Sequence, residues 1–304
     1  MTTFVDGAVR VTVPATSANL GPGFDSLGLA LDLRDTLTGE VTPAGLSVAI
    51  DGPGAETLPR DESHLVVRAM HAAFDVMGER PPGLALHCDN VIPHSRGLGS
   101  SSAAIVGGLV LARGLVAGGT LLLDDRALLD LACQMEGHPD NVAPALLGGF
   151  VIAGREQEEW YAVSSGVDPR VSAVVFIPPT PVPTSLARGL LPASVSHRDA
   201  ATNAGRTALL VAALASQPEH LLAATRDFLH QDQRESAMPE SLALVRALRA
   251  DGVPAVISGA GPTVLAFCDG PTCTPGSAEL LVARCPEGWQ VHHLAVSSAG
   301  ALLV

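Results

Sequence analysis

The 304-residue sequence contains no lysine; all 18 of its basic residues are arginine. That absence excludes chemistry built on a primary amine: a Schiff base, a pyridoxal-phosphate anchor, the lysine of a P-loop and the lysine of a eukaryote-type protein kinase. Any phosphate bound here must be held by backbone amides, arginine or a metal ion. Positive charge is scarce altogether, because 18 basic residues face 31 acidic ones and leave a net charge of -13. Such a surface repels a nucleic-acid backbone. Aromatic residues are only 3% of the chain, too few for a platform that stacks bases, so the expectation is no nucleic-acid partner. Charged residues amount to 16% against 47% hydrophobic, and mean hydropathy is +0.32. Intrinsic disorder needs the opposite balance.

Cysteine is also sparse. Cys88, Cys133, Cys268, Cys273 and Cys285 are odd in number, scattered and never spaced as Cys-x-x-Cys. They read as core thiols rather than a disulfide framework or a zinc site. The opening Met-Thr-Thr-Phe-Val-Asp has neither the basic start nor the apolar run of a secretory signal, so a cytoplasmic setting is expected. One stretch, Ala103 to Leu123, is apolar enough to suggest a membrane span, but Arg113 sits at its middle among glycines. An arginine there costs ~2.5–3.5 kcal/mol on insertion scales. A buried helix is the expectation, with no membrane partner.

Periodicity predicts a strand at Arg10–Pro14, further strands near Leu46–Ile50 and Leu84–Cys88, and between them a helix from Ser63 to Met77 with Ser63 as its cap. A long apolar helix after Gly97–Ser102 and a second over Asp124–Met135 follow. Beyond the hydrophilic Arg155–Glu159 stretch, a strand is predicted at Val171–Ile177, helices at 201–215, 219–229 and 241–250, and strands at 255–258 and 263–268. The pattern is α+β, and the composition break places a domain boundary near residue 155, giving domains 1–155 and 156–304.

Three glycine-rich segments carry the chemistry. The first is Pro93-His94-Ser95-Arg96-Gly97-Leu98-Gly99-Ser100-Ser101-Ser102-Ala103, set directly against the apolar helix. Its glycines let successive amides converge, and a helix start adds about half a positive charge. A di- or triphosphate suits that concavity, with serine hydroxyls as donors or as oxygen ligands to Mg2+. It is neither a Walker A loop nor a Rossmann fingerprint. The second segment, Pro14 to Asp25, presents Asn19 and Asp25 from a glycine-proline turn; these suit an ammonium or hydroxyl ligand, or simply form the turn. The third, Ile257-Ser258-Gly259-Ala260-Gly261-Pro262-Thr263, is a tight turn able to approach a ligand or to join two strands. A polar run, Glu136-Gly-His138-Pro-Asp140-Asn141, adds a carboxylate suited to Mg2+; with one histidine it lacks the ligands for zinc.

These segments, in this order, resemble the GHMP small-molecule kinases: an N-terminal Pro-x-x-x-Asn, the Pro-x-x-x-Gly-Leu-Gly-Ser-Ser-Ser-Ala loop and a C-terminal Gly-x-Gly-Pro. Val13 to Asp25, Glu136 to Asn141 and Ser258 to Thr263 are similar to the homoserine kinase branch. The resemblance implies a two-domain fold: an N-terminal mixed sheet with a left-handed βαβ phosphate-loop unit, and a C-terminal ferredoxin-like α/β sandwich. It implies transfer of the ATP γ-phosphate to the side-chain hydroxyl of L-homoserine in threonine biosynthesis, with a homodimer left open. By the same resemblance, Pro93 to Ala103 holds the nucleotide phosphates and Ser101 and Glu136 hold Mg2+. Asn19, Asp25, His138 and Thr263 belong to the amino-acid pocket, and Arg188 and Arg234 grip the substrate carboxylate, as a planar fork does well. Asn141 stands where related enzymes carry an aspartate, so alignment rather than base catalysis is expected of it, the hydroxyl proton passing to phosphate or water; Asp140 is its rival. His64 stands where an asparagine is usual beside the adenine; it either takes over that contact to the nucleotide or is merely exposed, which leaves the base preference open. The alternatives are a GHMP kinase for another small alcohol, such as mevalonate or a sugar, and a non-catalytic regulator that kept the fold.

Overall fold

The computed structural model describes residues 3–269 and 277–304, so Cys273 lies outside the described residues. The chain opens on β1 (Val9–Ala18), which pairs antiparallel with β2 (Leu27–Thr42). Alternation in β1 buries Val11, Val13 and Ala15 completely. The 16-residue β2 has two sets of neighbours because its pairing partners change along its length. Its first three residues, Leu27–Leu29, pair with β5 (Phe150–Glu156), and its later part pairs with β4 (Gly83–Asp89). Strand β3 (Gly45–Asp51) runs parallel to β4 through the crossover helix α1 (Leu65–Met77). With β6 (Glu159–Ser165) beside β5 and β11 (Leu302–Leu303) returning beside β1, these make a seven-stranded mixed sheet.

Helix α2 (Ser100–Gly114) lies against β1 and α1 and is buried on nearly every side. Gly107 and Gly108 are what allow this: a Cβ on Gly107 would come 2.6 Å from a Leu37 methyl, and one on Gly108 2.7 Å from the Val66 carbonyl oxygen. The long apolar stretch therefore ends at Gly114, with Arg113 in its last turn ion-paired to Asp125 at 2.6 Å, and a separate one-turn helix α3 (Gly119–Leu122) follows. Among the described residues no helix is long and apolar enough to cross a membrane. Helix α4 (Asp125–Glu136) begins where Asp124 accepts the amide of Ala127, and α5 (Pro139–Leu147) starts on a proline placed where no amide partner is needed.

The second sheet is antiparallel. Strand β7 (Val171–Ile177) leads through α6 (Thr184–Gly189), α7 (His197–Ser216), α8 (Leu221–Ala224) and α9 (Pro239–Ala250) into the hairpin β8 (Ala255–Ile257) and β9 (Val264–Asp269). Helix α10 (Ala278–Val282) and β10 (Gln290–Ala295) complete it, in the order β10-β7-β9-β8. That β-α-β-β-α-β path with the outer strands crossed is the ferredoxin-like arrangement.

Three local expectations differ from the structure. The hydrophilic Arg155–Glu159 stretch is the turn of the β5–β6 hairpin, and β6 still belongs to the first sheet, so the chain changes sheets between Ser165 and Val171 rather than near 155. Ser63 does not cap α1: its hydroxyl and amide both bond to Asp61, and His64 occupies the cap position. The helix expected over 219–229 stops at Ala224, because the Asp227 carboxylate accepts the amides of Leu229, His230 and Gln231 and winds the chain into a turn.

Candidate active site

The three glycine-rich segments are locked to one another. The Thr16 amide donates to the Leu98 carbonyl at 3.1 Å, the Gly259 amide to Ala18 at 3.0 Å and the Thr263 amide to Arg96 at 3.2 Å. The Ser258 hydroxyl bridges Ser17 and the Gly97 carbonyl. Gly97 and Gly99 are required by this contact as well as by backbone shape, with φ of 77° and 69°. A Cβ on Gly97 would sit 2.2 Å from the Ser258 carbonyl oxygen, and one on Gly99 only 1.9 Å from the Thr16 hydroxyl. Asn19, Leu20, Asp25 and Ser95 also take the left-handed conformation, a concentration of backbone strain of the kind that collects at ligand sites.

Gly99 caps α2 without a side-chain hydrogen bond, so the first amides of a well-formed helix open onto the loop. They open into a cavity of about 320 Å³ lined by Ser95, Gly97, Gly99, Ser100, Ser101, Glu136, His138 and Asn141 together with Arg188 and Arg234 from the second sheet's helices. The hydroxyls of Ser101 and Ser102 both donate to Glu136 Oε1, at 2.8 and 2.9 Å. A carboxylate and hydroxyl oxygens so gathered beside a phosphate-sized cradle form the hard-oxygen donor set that Mg2+ takes. Among the described residues no cluster of three or more His, Cys, Asp or Glu side chains could hold a metal by itself; the remaining ligands of such an ion would be phosphate oxygens and water.

At the far end of the cavity two arginines flank the Phe24 ring, each guanidinium 5.6 Å from its centre. Arg188 pairs bidentately with Asp25 at 2.6 and 3.1 Å, a bond that raises its pKa. Arg234 is 1% exposed and, among the described residues, has no carboxylate within ion-pair distance. It donates instead to the carbonyls of Ala187 and Gly259 and to His230 Nδ1. Burial, with Arg188 close by, lowers its pKa. A buried guanidinium lacking its counter-charge is costly unless a ligand supplies one. His230 is buried too; its Nε2 donates to the Gly21 carbonyl at 2.8 Å, which leaves Nδ1 as the acceptor that steers Arg234. Burial holds His230 below the ordinary histidine range.

His138 and Asn141 sit one turn apart at the start of α5. Burial alone would lower the His138 pKa, but its 2.6 Å bond to Asp140 and the neighbouring carboxylates raise it. Asp140 is 2% exposed and tied to His138. Asn141 accepts the Thr16 hydroxyl on Oδ1 at 2.8 Å, so its amide group is left to donate into the cavity.

A second cavity of about 270 Å³ joins the first across Ser95, Ser100 and Ser101. Leu37, Leu58, Leu65 and Val66 line it, with His64, His94, Asn90 and Asp35 as polar members. His64 is 4% exposed with an unpartnered Nδ1, and its pKa is lowered by burial first and by His94 second, against Asp61.

Of the expected site residues, the two cavities thus gather His64, His94, Ser95, Gly97, Gly99, Ser100, Ser101, Ala103, Asn19, Glu136, His138, Asn141, Arg188 and Arg234. Others are walls behind them. Arg96 turns to the carbonyls of His94, Pro178 and Pro179 instead of the phosphate cradle. Leu98 and Thr263 are fully buried outside both linings, Thr263 with an unpartnered hydroxyl. Asn19 spends its amide on Gly259 and the Asp25 backbone. Asp35 and His230 had no motif to mark them, and Thr16 and Phe24, though inside the Pro14–Asp25 segment, had no role assigned; each is recognised only by what it touches.

The description "GHMP kinases N terminal domain" matches residues 64–149 and "GHMP kinases C terminal" residues 209–285. The chain is 55% identical over 301 residues to a homoserine kinase of Streptomyces coelicolor, covering 99% of this chain and 96% of that one. The chain belongs to the homoserine kinase branch of the GHMP kinases. A homoserine kinase of Streptomyces avermitilis is likewise 55% identical, over 98% of this chain and 96% of the relative. In structure, the chain is similar to homoserine kinase from Cytophaga hutchinsonii, with a TM-score of 0.83, 25% identity and 99% of both chains covered. Mevalonate kinase of L. major shares the fold at a TM-score of 0.68 and 16% identity, over 99% of this chain and 100% of that one.

Proposed function

We propose that the chain is an ATP-dependent kinase that phosphorylates the side-chain hydroxyl of L-homoserine, giving O-phospho-L-homoserine for threonine synthesis in the cytoplasm. The observation that carries this reading is the meeting of two cavities over one uncapped helix start: an apolar pocket fit for a nucleotide base on one side, and a pocket with a buried, unpaired arginine on the other. In this reading the first sheet and its helices hold the nucleotide, and the second sheet's helices complete the substrate site.

The phosphates lie against the amides at the start of α2 and the hydroxyls of Ser100 and Ser101. Mg2+, held by Glu136 and Ser101, would offset phosphate charge. Arg234 and Arg188 take the homoserine carboxylate, the first because among the described residues no carboxylate lies within ion-pair distance of it, and Asp25 is then free to face the substrate ammonium. The Asn141 amide donates to the acceptor hydroxyl oxygen and aims it at the γ-phosphorus. A bond forms from that oxygen to phosphorus as the bond from phosphorus to the β,γ-bridging oxygen breaks, ADP leaves, and the hydroxyl proton passes to phosphate or water. Asparagine takes no proton, and phosphoryl transfer needs mainly positioning and charge stabilisation.

The test is ADP release by the purified protein with Mg-ATP and L-homoserine, with mevalonate and galactose as comparators, and with Arg234→Ala beside the wild type. Homoserine is expected to be the active acceptor. Arg234→Ala is expected to raise its KM at least about a hundredfold, since a charge-assisted bidentate contact is lost, while the Mg-ATP KM stays within a few-fold. Turnover of mevalonate or galactose with homoserine inert overturns the reading.

A further inference from the structure

The apolar cavity contains one buried carboxylate for which phosphoryl transfer has no use. Asp35, on β2, is 5% exposed and forms part of the cavity wall. Its Oδ1 accepts the amides of Val91 and Ile92 at 2.6 and 2.9 Å, and its Oδ2 takes no hydrogen bond among the described residues. An asparagine would anchor those two amides equally well. A buried charge with one idle oxygen is costly against Leu37 and its neighbours unless a donor arrives when the cavity fills.

The other nitrogen donors of this wall are engaged or can serve either role. Asn90 commits its amide N–H to the Pro53 carbonyl at 3.0 Å, and His94 Nε2 meets the same oxygen at 3.1 Å. His64 has an unpartnered nitrogen, yet a neutral imidazole can donate or accept by changing tautomer. An ionised carboxylate only accepts. At position 6 of a purine, adenine presents a donor amine, whereas guanine and hypoxanthine present an acceptor carbonyl.

We propose that Asp35 Oδ2 accepts a hydrogen bond from the exocyclic amine of the adenine base and thereby selects ATP against 6-oxopurine nucleotides. The proposal rests on the reading of this cavity as the nucleotide-base site. Asp35 is then a specificity residue far from the transferred phosphoryl group, with His64 on the same base as a grip that does not discriminate.

Direct binding of the magnesium complexes of ATP, ITP, 2′-deoxy-ATP and purine riboside triphosphate, which lacks the 6-amino group, is measured by calorimetry without homoserine, for the wild type and Asp35→Asn. The amide keeps Oδ1 for Val91 and Ile92 and puts an N–H donor in the place of Oδ2. For the wild type, ITP and the 6-unsubstituted purine are expected to bind at least about a hundredfold more weakly than ATP, in line with sites built to bond a substrate N–H, and 2′-deoxy-ATP to bind as ATP does. In Asp35→Asn the ATP-to-ITP ratio is expected to fall by at least about tenfold, with ITP binding improved. Equal wild-type affinity for ATP and ITP overturns the proposal, and does so without recourse to any variant. So does an Asp35→Asn protein that weakens both nucleotides by one factor, or a loss of 2′-deoxy-ATP binding that points to a ribose donor. Nucleotide discrimination as expected, with homoserine inert in the kinase assay, would instead overturn the acceptor assignment alone; binding of no nucleotide would overturn both.

Discussion

The contact between Gly99 and the strand opposite sets up a sharp comparison. Replacing Gly99 by alanine forces an L residue to hold φ near 69°, which costs ~1–2 kcal/mol. The added Cβ lies 1.9 Å from the Thr16 hydroxyl and 3.2 Å from Asn141 Oδ1. Thr16 is fully buried on β1 and cannot retreat into solvent, so the relief must come from breaking its 2.8 Å bond to Asn141, another ~0.5–1.5 kcal/mol. Together these amount to ~1.5–3.5 kcal/mol of stability. Gly252 is the control: its φ is 84°, but nothing lies within 4 Å of a Cβ there. Gly252→Ala should therefore lose only the backbone part, ~1–2 kcal/mol. The two variants separate further in rate. Gly99→Ala shifts the loop before α2 and the Asn141 amide, which the proposed reaction uses to hold phosphate and aim the acceptor hydroxyl, and a misplacement of about 1 Å costs roughly a hundredfold. Urea unfolding and steady-state kinetics, run on both variants, read the two effects. If Gly99→Ala matches Gly252→Ala in stability and retains the wild-type kcat, the interlocked-loop account is wrong.

Other outcomes follow from the same contacts. Glu136→Gln removes the carboxylate shared by the Ser101 and Ser102 hydroxyls; kcat is expected to fall by about a hundredfold or more, with the Mg2+ concentration for half-maximal rate moved upward in a metal titration. Burial pushes the thiols of Cys88 and Cys133 up to about 12. Iodoacetamide at pH 8 followed by peptide mass spectrometry should then find both unmodified in the native protein and modified after denaturation, since the thiolate is the reactive form. Burial raises the Asp35 carboxyl above its ordinary 3.8, against the pull of the Ile92 and Val91 amides. The native state therefore holds that proton more tightly than the unfolded chain, and stability falls as pH rises from about 3.8 through the raised native value. Relative to Asp35→Asn, the wild type should lose unfolding free energy across that window; an unchanged difference would show that burial does not act on this carboxyl.

How much was legible in the sequence depends on whether a signal was local. The apolar-periodic run after Asp124 announces α4, and the helix expected over Asp124–Met135 stands at Asp125–Glu136. The three glycine segments were visible because close backbone approach demands glycine at fixed spacing. Their mutual contact was not, since Gly97 to Ser258 and Ser17 to Ser258 join residues far apart in sequence. Strand β2 was missed because its two halves answer to different neighbours, which blurs the alternation. The β5–β6 hairpin was read as a boundary because its charged turn, Arg155 to Glu159, looks like a linker. His230 stands four residues before Arg234, but the segment around Arg234 is a 3₁₀ helix after an Asp227 turn, so helical spacing offers no clue to their contact. Arg96, by contrast, lies inside a motif, and only the positions of Pro178 and Pro179 show that its guanidinium turns away.

The most direct measurement is ³¹P NMR of the protein incubated with Mg-ATP and L-homoserine. The expected result is loss of the γ-phosphate resonance matched by ADP and a new phosphomonoester coupled to the side-chain methylene protons of homoserine. ATP left intact beside homoserine while it is bound by the protein, or a phosphomonoester formed only with mevalonate or a sugar, would contradict it.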